Sequence, residues 1–269
     1  MTHRLMFAAV ALVALAAGLS AQQAGPPKTS AQPARPDLSG SWSVTLGLPT
    51  GSALKRQEGG VTKTASIDRV KVQGAIGQGR GALPWTAAPS YKPEFQAKVA
   101  QLEANQSKTD PVFYCARPGV PRVGPPRKIV QLRDEVIFLY EDLSGDTYRV
   151  IPTDGRAHRT DANPSYYGDS VGKWEGATLV IDVRNFVEDT WFGERGYFHT
   201  DAMRVTERLW LDGDNLVWQA TVHDPNALAA PWTLAPRMIA RSAQPLEESP
   251  PCHEQDGGRL LNTDHHVQR

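Results

Sequence analysis

From residue 128 onward, apolar and polar positions alternate in short runs broken by turn residues. "KIVQL" and "EVIFLYE" are split by Arg133-Asp134, and "DTYRVIP" follows "DLSG". "SVGKW" and "TLVIDVRNF" flank Glu175-Gly176-Ala177, "MRVTERLWL" and "NLVWQATVH" flank Asp212-Gly213-Asp214, and "WTLAPRMIARS" closes the series. A period of two residues is that of a strand, and separators carrying Gly and Asp suit tight hairpins. With "DLSGSWSVTLGL" near residue 40, the pattern predicts strands in meander order. Such a sheet hides its edges most simply by closing on itself. The expected fold is all-β: a single closed antiparallel up-and-down barrel, lipocalin-like, of about eight to ten strands.

The region before residue 128 reads differently. Residues 48–127 form a long loop and helix insertion, rich in Gly and Pro at first, with one short strand expected at "IDRVKVQG". In "YKPEFQAKVAQLEANQ", Pro93 suits a first helical turn, and Phe95, Val99 and Leu102 fall on one face. That predicts one amphipathic helix. At the start, "MTHRLMFAAVALVALAAGLSAQQAG" has a basic end, an apolar run and small residues near a cleavage point. Residues 1–21 therefore read as a signal peptide, 22–37 as a flexible linker, 38–252 as the barrel domain and 253–269 as a disordered tail. The apolar run is too short for a stable membrane anchor, and the expected location is secreted or periplasmic.

The 269 residues carry 29 basic and 29 acidic side chains. A zero net charge gives no electrostatic footprint for nucleic acid or an anionic membrane. The two cysteines, Cys115 and Cys252, are outside any C-x-x-C spacing. In an exported chain they are read as one structural disulfide.

The segments "PDLSGSW", "CARPGVPR", "YRVIPTDGRAH", "SVGKWEGATLVIDV" and "HTDAMRVTERLW" resemble a family of uncharacterised exported bacterial β-barrel proteins. The likeness covers about residues 36–252, and its architecture is similar to lipocalin or calycin barrels, whose first strand also carries Gly-x-Trp. The resemblance implies export and a barrel, with no particular reaction.

Alternation also nominates the chemistry. On 199–211 the odd positions are the more apolar set, so they should face inward and carry His199 and Asp201 into the lumen as a local pair. Asp182, between Ile181 and Val183, is either a carboxylate aimed into the pocket or the partner of an arginine such as Arg149 or Arg204. Tyr140 shares parity with Val136 and Phe138 and belongs inside. "TDGRAH" offers Arg156 and His158, either as a polar surface turn or as an anion clamp and proton carrier at the barrel mouth. Trp191 and Tyr197 are candidates for stacking on a flat substrate. His158, His199 and His223, with Asp201, make an alternative metal set, although no tight ligand spacing such as H-E-x-x-H is present.

Three functions fit these residues. The first is a cofactor-free acid–base enzyme, a lyase, isomerase or cyclase, with His199, Asp201, Asp182 and Tyr140 catalytic and a mostly apolar small molecule in the lumen. The second is a non-catalytic binding protein for a hydrophobic metabolite. The third is a structural or interaction module with a side-chain-filled barrel.

Overall fold

A computed structural model describes residues 35–44, 53–58, 61–66, 87–142, 145–249 and 252; for 44, 53–58 and 61–66 only the backbone is described. The signal-peptide and tail segments, most of the linker, the strand expected at "IDRVKVQG" and His265–His266 lie outside these residues.

The strands are β1 (Gly40–Val44), β2 (Ala53–Glu58), β3 (Val61–Ser66), β4 (Lys128–Gln131), β5 (Glu135–Tyr140), β6 (Thr147–Pro152), β7 (Asp169–Glu175), β8 (Thr178–Arg184), β9 (Arg204–Asp212), β10 (Asn215–His223), β11 (Trp232–Thr233) and β12 (Arg237–Arg241). Ten of them build one sheet in the order β6-β5-β4-β1-β12-β10-β9-β8-β7, with β11 beside β10. The all-β, up-and-down barrel is therefore present. β2 and β3 make a separate antiparallel pair, which sequence periodicity did not announce. The amphipathic pattern forms α1 (Pro93–Ala104), with Phe95, Val99 and Leu102 half-buried against the core; a one-turn α2 (Gln106–Thr109) follows.

Ring closure has an unexpected seam. β1 pairs with β12, so the first and last strands of the barrel are zipped together. The eight ladders along the nine-strand path are all antiparallel. An odd number of strands round a ring leaves its two free edges, β6 and β7, running the same way. Parallel neighbours need a crossover of a dozen or more residues, and residues 153–168 supply it. No ladder joins β6 to β7 among the described residues; side chains meet there instead. Arg149 Nη2 donates to Ser170 Oγ at 2.9 Å. A Cβ at Gly172 would stand only 3.0 Å from Ile151 and 3.1 Å from Thr153, so the absent side chain lets the strands approach.

The barrel ends are unlike. β4–β5, β7–β8 and β9–β10 are joined by tight hairpins at one end, with Gly176 and Gly213 left-handed in two of them. The other end carries the long connections, including 185–203 and 224–231. Cys115 and Cys252 are bonded there, 137 residues apart, as the cysteine count predicts.

Inside, alternate residues fill the tube. Trp42, Ile129, Val136, Phe138, Ile151, Leu179, Ile181, Val205, Leu209, Leu216 and Trp218 are each no more than 1 % exposed. Each large apolar side chain so buried contributes about 1.5–3 kcal/mol.

Candidate functional site

The nominated residues fall into four places. The first is the barrel interior. Tyr140 ends β5 on the inward face with Val136 and Phe138, as parity predicts. Its hydroxyl accepts from Arg149 Nη1 at 3.1 Å, and its ring stacks on Tyr167 with centroids 6.0 Å apart. Arg149 Nη2 lies 2.7 Å from Glu207 Oε2, while Trp218 Nε1 donates to Glu207 Oε1 at 2.9 Å. Glu207 is fully buried and Arg149 nearly so. Burial opposes the charge on Arg149, but the adjacent Glu207 carboxylate and Tyr140 override it and hold the guanidinium protonated. Burial pushes the Tyr140 phenol well above its ordinary range, with the Glu207 charge adding to the rise and Arg149 opposing it. A phenol so held is a hydrogen-bond participant, not a base. Arg149 and Glu207 carry this network. Their opposite charges on inward positions of β6 and β9 are the signal in the sequence that marks them.

The second place is the connection between β8 and β9, residues 185–203. His199 is 4 % exposed there, edge-on to Phe186. Its Nδ1 donates to the Thr200 carbonyl at 2.9 Å, so in the neutral ring Nε2 accepts from the Thr190 hydroxyl at 2.6 Å. Burial pushes the imidazole below its usual pKa, against the Thr200 hydrogen bond and the charges of Asp224 and Glu188. Both nitrogens are occupied, which leaves His199 no free position for proton transfer. Asp201 is exposed and does not meet it. The expected His199–Asp201 pair is corrected for a simple reason: β9 begins at Arg204, and residues 200–203 form a turn closed by Met203 N donating to Thr200 O. Strand alternation could not be carried back through it. From Val205 on, the odd positions do point inward.

The acid beside this connection is Asp224, 2 % exposed. It accepts from Thr200 N and Oγ1 at 2.7 and 2.8 Å and from the backbone of Asn226 and Ala227 at 3.1 Å. It holds two connections together. The turn signature "DPN" was its sequence signal.

The third place is outside the barrel, on the β7–β8 face. The inward set of β8 is Leu179, Ile181 and Val183, so Asp182 points outward, which corrects the lumen carboxylate. Val180 is buried as well, and this almost unbroken apolar run concealed the parity. Asp182 pairs with Arg184 at 2.9 Å rather than Arg149 or Arg204. It also receives His158, whose Nε2 lies 2.9 Å from Asp182 Oδ2 and whose Nδ1 lies 2.7 Å from Asp169 Oδ2. Asp169 additionally accepts from Arg159 N and Nε at 3.2 and 2.9 Å. Burial works to raise both carboxyls, but the hydrogen bonds from Arg159 and His158 to Asp169, and from Arg184 and His158 to Asp182, leave each below the usual range. Arg156, by contrast, is exposed and folds back on Asp154 with contacts down to 2.6 Å. It is the polar surface turn, and no anion clamp forms at the mouth.

The fourth place is aromatic. Trp191 is buried and pairs by backbone with Phe198, so it packs the core. Tyr197 is half-buried, with Phe192 at 5.9 Å and Trp232 at 5.9 Å between centroids. Lys98 of α1 lies 3.7 Å over the Phe198 ring. His223 is exposed at the end of β10, so His158, His199 and His223 are in three separate places. Among the described residues no group of three His, Cys, Asp or Glu side chains is arranged to hold a metal ion.

Comparison with family models, curated proteins and solved structures finds no match to this chain.

Proposed function

We propose that this chain is a structural or interaction module, exported like the barrel proteins its motifs resemble, whose solid barrel supports the loops at one end. One observation carries the reading: Arg149, Glu207, Tyr140 and Trp218 occupy the middle of the tube, joined by one ion pair and two hydrogen bonds, although Arg149 Nε is left without a hydrogen-bond partner. A ligand there would have to displace a buried ion pair, and an unpaired buried charge costs about 3–5 kcal/mol. The residues of an acid–base mechanism are also spent elsewhere, since His199 holds a turn and Asp182 holds the outer face. Long connections on a rigid scaffold are where recognition surfaces concentrate.

A second reading, binding without catalysis, draws on the half-buried pair Tyr197 and Trp232, and on Lys98 over the Phe198 ring. A flat, apolar or anionic small molecule would stack at the long-loop end and leave the lumen untouched.

Native mass spectrometry of protein purified from its own cells separates these. The interaction reading expects the bare chain mass, and the second expects a ligand whose binding is lost in Trp232→Ala. A stoichiometric ligand that survives Trp232→Ala and is expelled by Ala220→Phe, which fills the lumen from the β10 side, overturns both and restores the lumen reading.

A further inference from the structure

We propose that residues 153–168 form a proton-operated strap across the open seam of the barrel, with His158 as its clasp. This goes beyond the reading above and holds whether or not the barrel meets a ligand.

A neutral histidine ring has one N–H donor and one lone pair. Here both ring nitrogens face carboxylate oxygens, at 2.7 Å from Asp169 and 2.9 Å from Asp182. A carboxylate only accepts, so both contacts are hydrogen bonds only when the ring carries both protons. Removing one proton turns one contact into an opposition of a lone pair and an anion.

The charged groups around the ring come from three elements. Arg159 stands on the strap itself and binds Asp169; Asp169 opens β7; Asp182 and Arg184 stand on β8. On β9 the register neighbour of Asp182 is the uncharged Thr206. Flanking it on the same face of β9 are Arg208, engaged with Glu175, and Arg204. Two carboxylates thus face the imidazole directly, and each keeps its own arginine when the imidazole lets go.

The two contacts are not equal. Asp169 is 9 % exposed and takes two further hydrogen bonds from Arg159, whereas Asp182 is 38 % exposed and shared with Arg184. On deprotonation the proton is kept on Nδ1 toward Asp169, and the Asp182 contact breaks. The strap then stays pinned at Asp169 and, further along, at Ala162 and Ser165, which are bonded to Asn185 and Val187, while the part around His158 swings free of β8.

The position gives the clasp its consequence. β6 and β7 share no ladder, and their edges meet through Arg149–Ser170 and the close approach at Gly172. Residues 153–168 are the covalent link across that gap, so their hold on β8 is a hold on the seam.

The clasp is closed where the His158 ring carries both protons and both aspartates are ionised. Loss of one ring proton opens the Asp182 contact, and protonation of the two carboxyls, which are held below their usual range, opens the clasp again at low pH.

The experiment measures amide exchange of residues 156–161 between pH 5 and pH 8, corrected for intrinsic chemistry, in wild type, His158→Gln and Asp182→Asn. Wild type should lose at least tenfold protection on going to pH 8. Asp182→Asn, which removes the anion facing Nε2 and the ion pair with Arg184 but leaves Asp169 in place, should be equally loose at both pH values. Nitrogen shifts of the imidazole should show two N–H groups at pH 5 and Nδ1–H at pH 8. Equal protection at both pH values in wild type overturns the proposal, as does a wild-type pH response that persists in Asp182→Asn. If His158→Gln does not fold, Asp182→Asn and the nitrogen shifts still decide it.

Discussion

His199 and Glu207 show how single residues in a sheet protein trade chemistry for structure. With both imidazole nitrogens satisfied in a buried turn, His199→Ala should cost about 1–3 kcal/mol in denaturant unfolding, because the Thr190 hydroxyl and the Thr200 carbonyl both lose their imidazole partner. The pH response has a defined sign. Burial lowers the folded-state pKa of His199, so the unfolded chain takes up a proton first as pH falls. This part of the stability is intact above the ordinary histidine value of about 6.5 and erodes below it. His199→Gln should therefore lose less stability than wild type between pH 7.5 and pH 5.5, and an identical loss would remove the assignment. Glu207→Ala should cost about 3–5 kcal/mol, whereas replacing Arg149 and Glu207 together by Met should restore most of it. Equal destabilisation by the single and double changes would show that the charges do not act as a pair. Tyr140 was legible beforehand because β5 alternates cleanly. His199 and Asp182 were misplaced because a turn and a doubly apolar strand broke the rule used to place them.

Among the elements, the hairpins were the readable ones, since Gly176 and Gly213 mark turns that need a left-handed residue. α1 was readable from Pro93 and the spacing of Phe95, Val99 and Leu102, but nothing in that pattern said which segment would cover it. The answer is Gly196, at φ +75, where a Cβ would come within 2.6 Å of Leu102 Cβ and 2.9 Å of Glu103 N. Gly196→Ala should thus separate α1 from the 185–203 connection. The expected result is a loss of about 1–3 kcal/mol and faster proteolysis near residues 93–104, with the barrel strands still protected. Unchanged cleavage would mean the helix is held by other contacts. The β2–β3 pair escaped notice because its residues are mostly polar on both faces, which leaves no hydrophobic register to read.

For the whole molecule, barrel closure was predictable from meander order and edge avoidance, whereas the seam depends on a strand count that sequence patterns give only approximately. The disulfide acts at the same scale. A bond across 137 residues restricts the unfolded chain by about 4–5 kcal/mol, so Cys252→Ser should lower the denaturation midpoint markedly with little change to the strand signal in circular dichroism. A midpoint that does not move would make that bond incidental. The β1–β12 ladder sets the order of assembly. Trp42 pairs with Arg241, so β1 has no ladder partner on one side until some two hundred residues further along the chain. Contacts that distant in sequence form late and slowly. The nascent chain therefore keeps an unclosed circle until its last strand emerges, and any helper that escorts it must wait for that strand too.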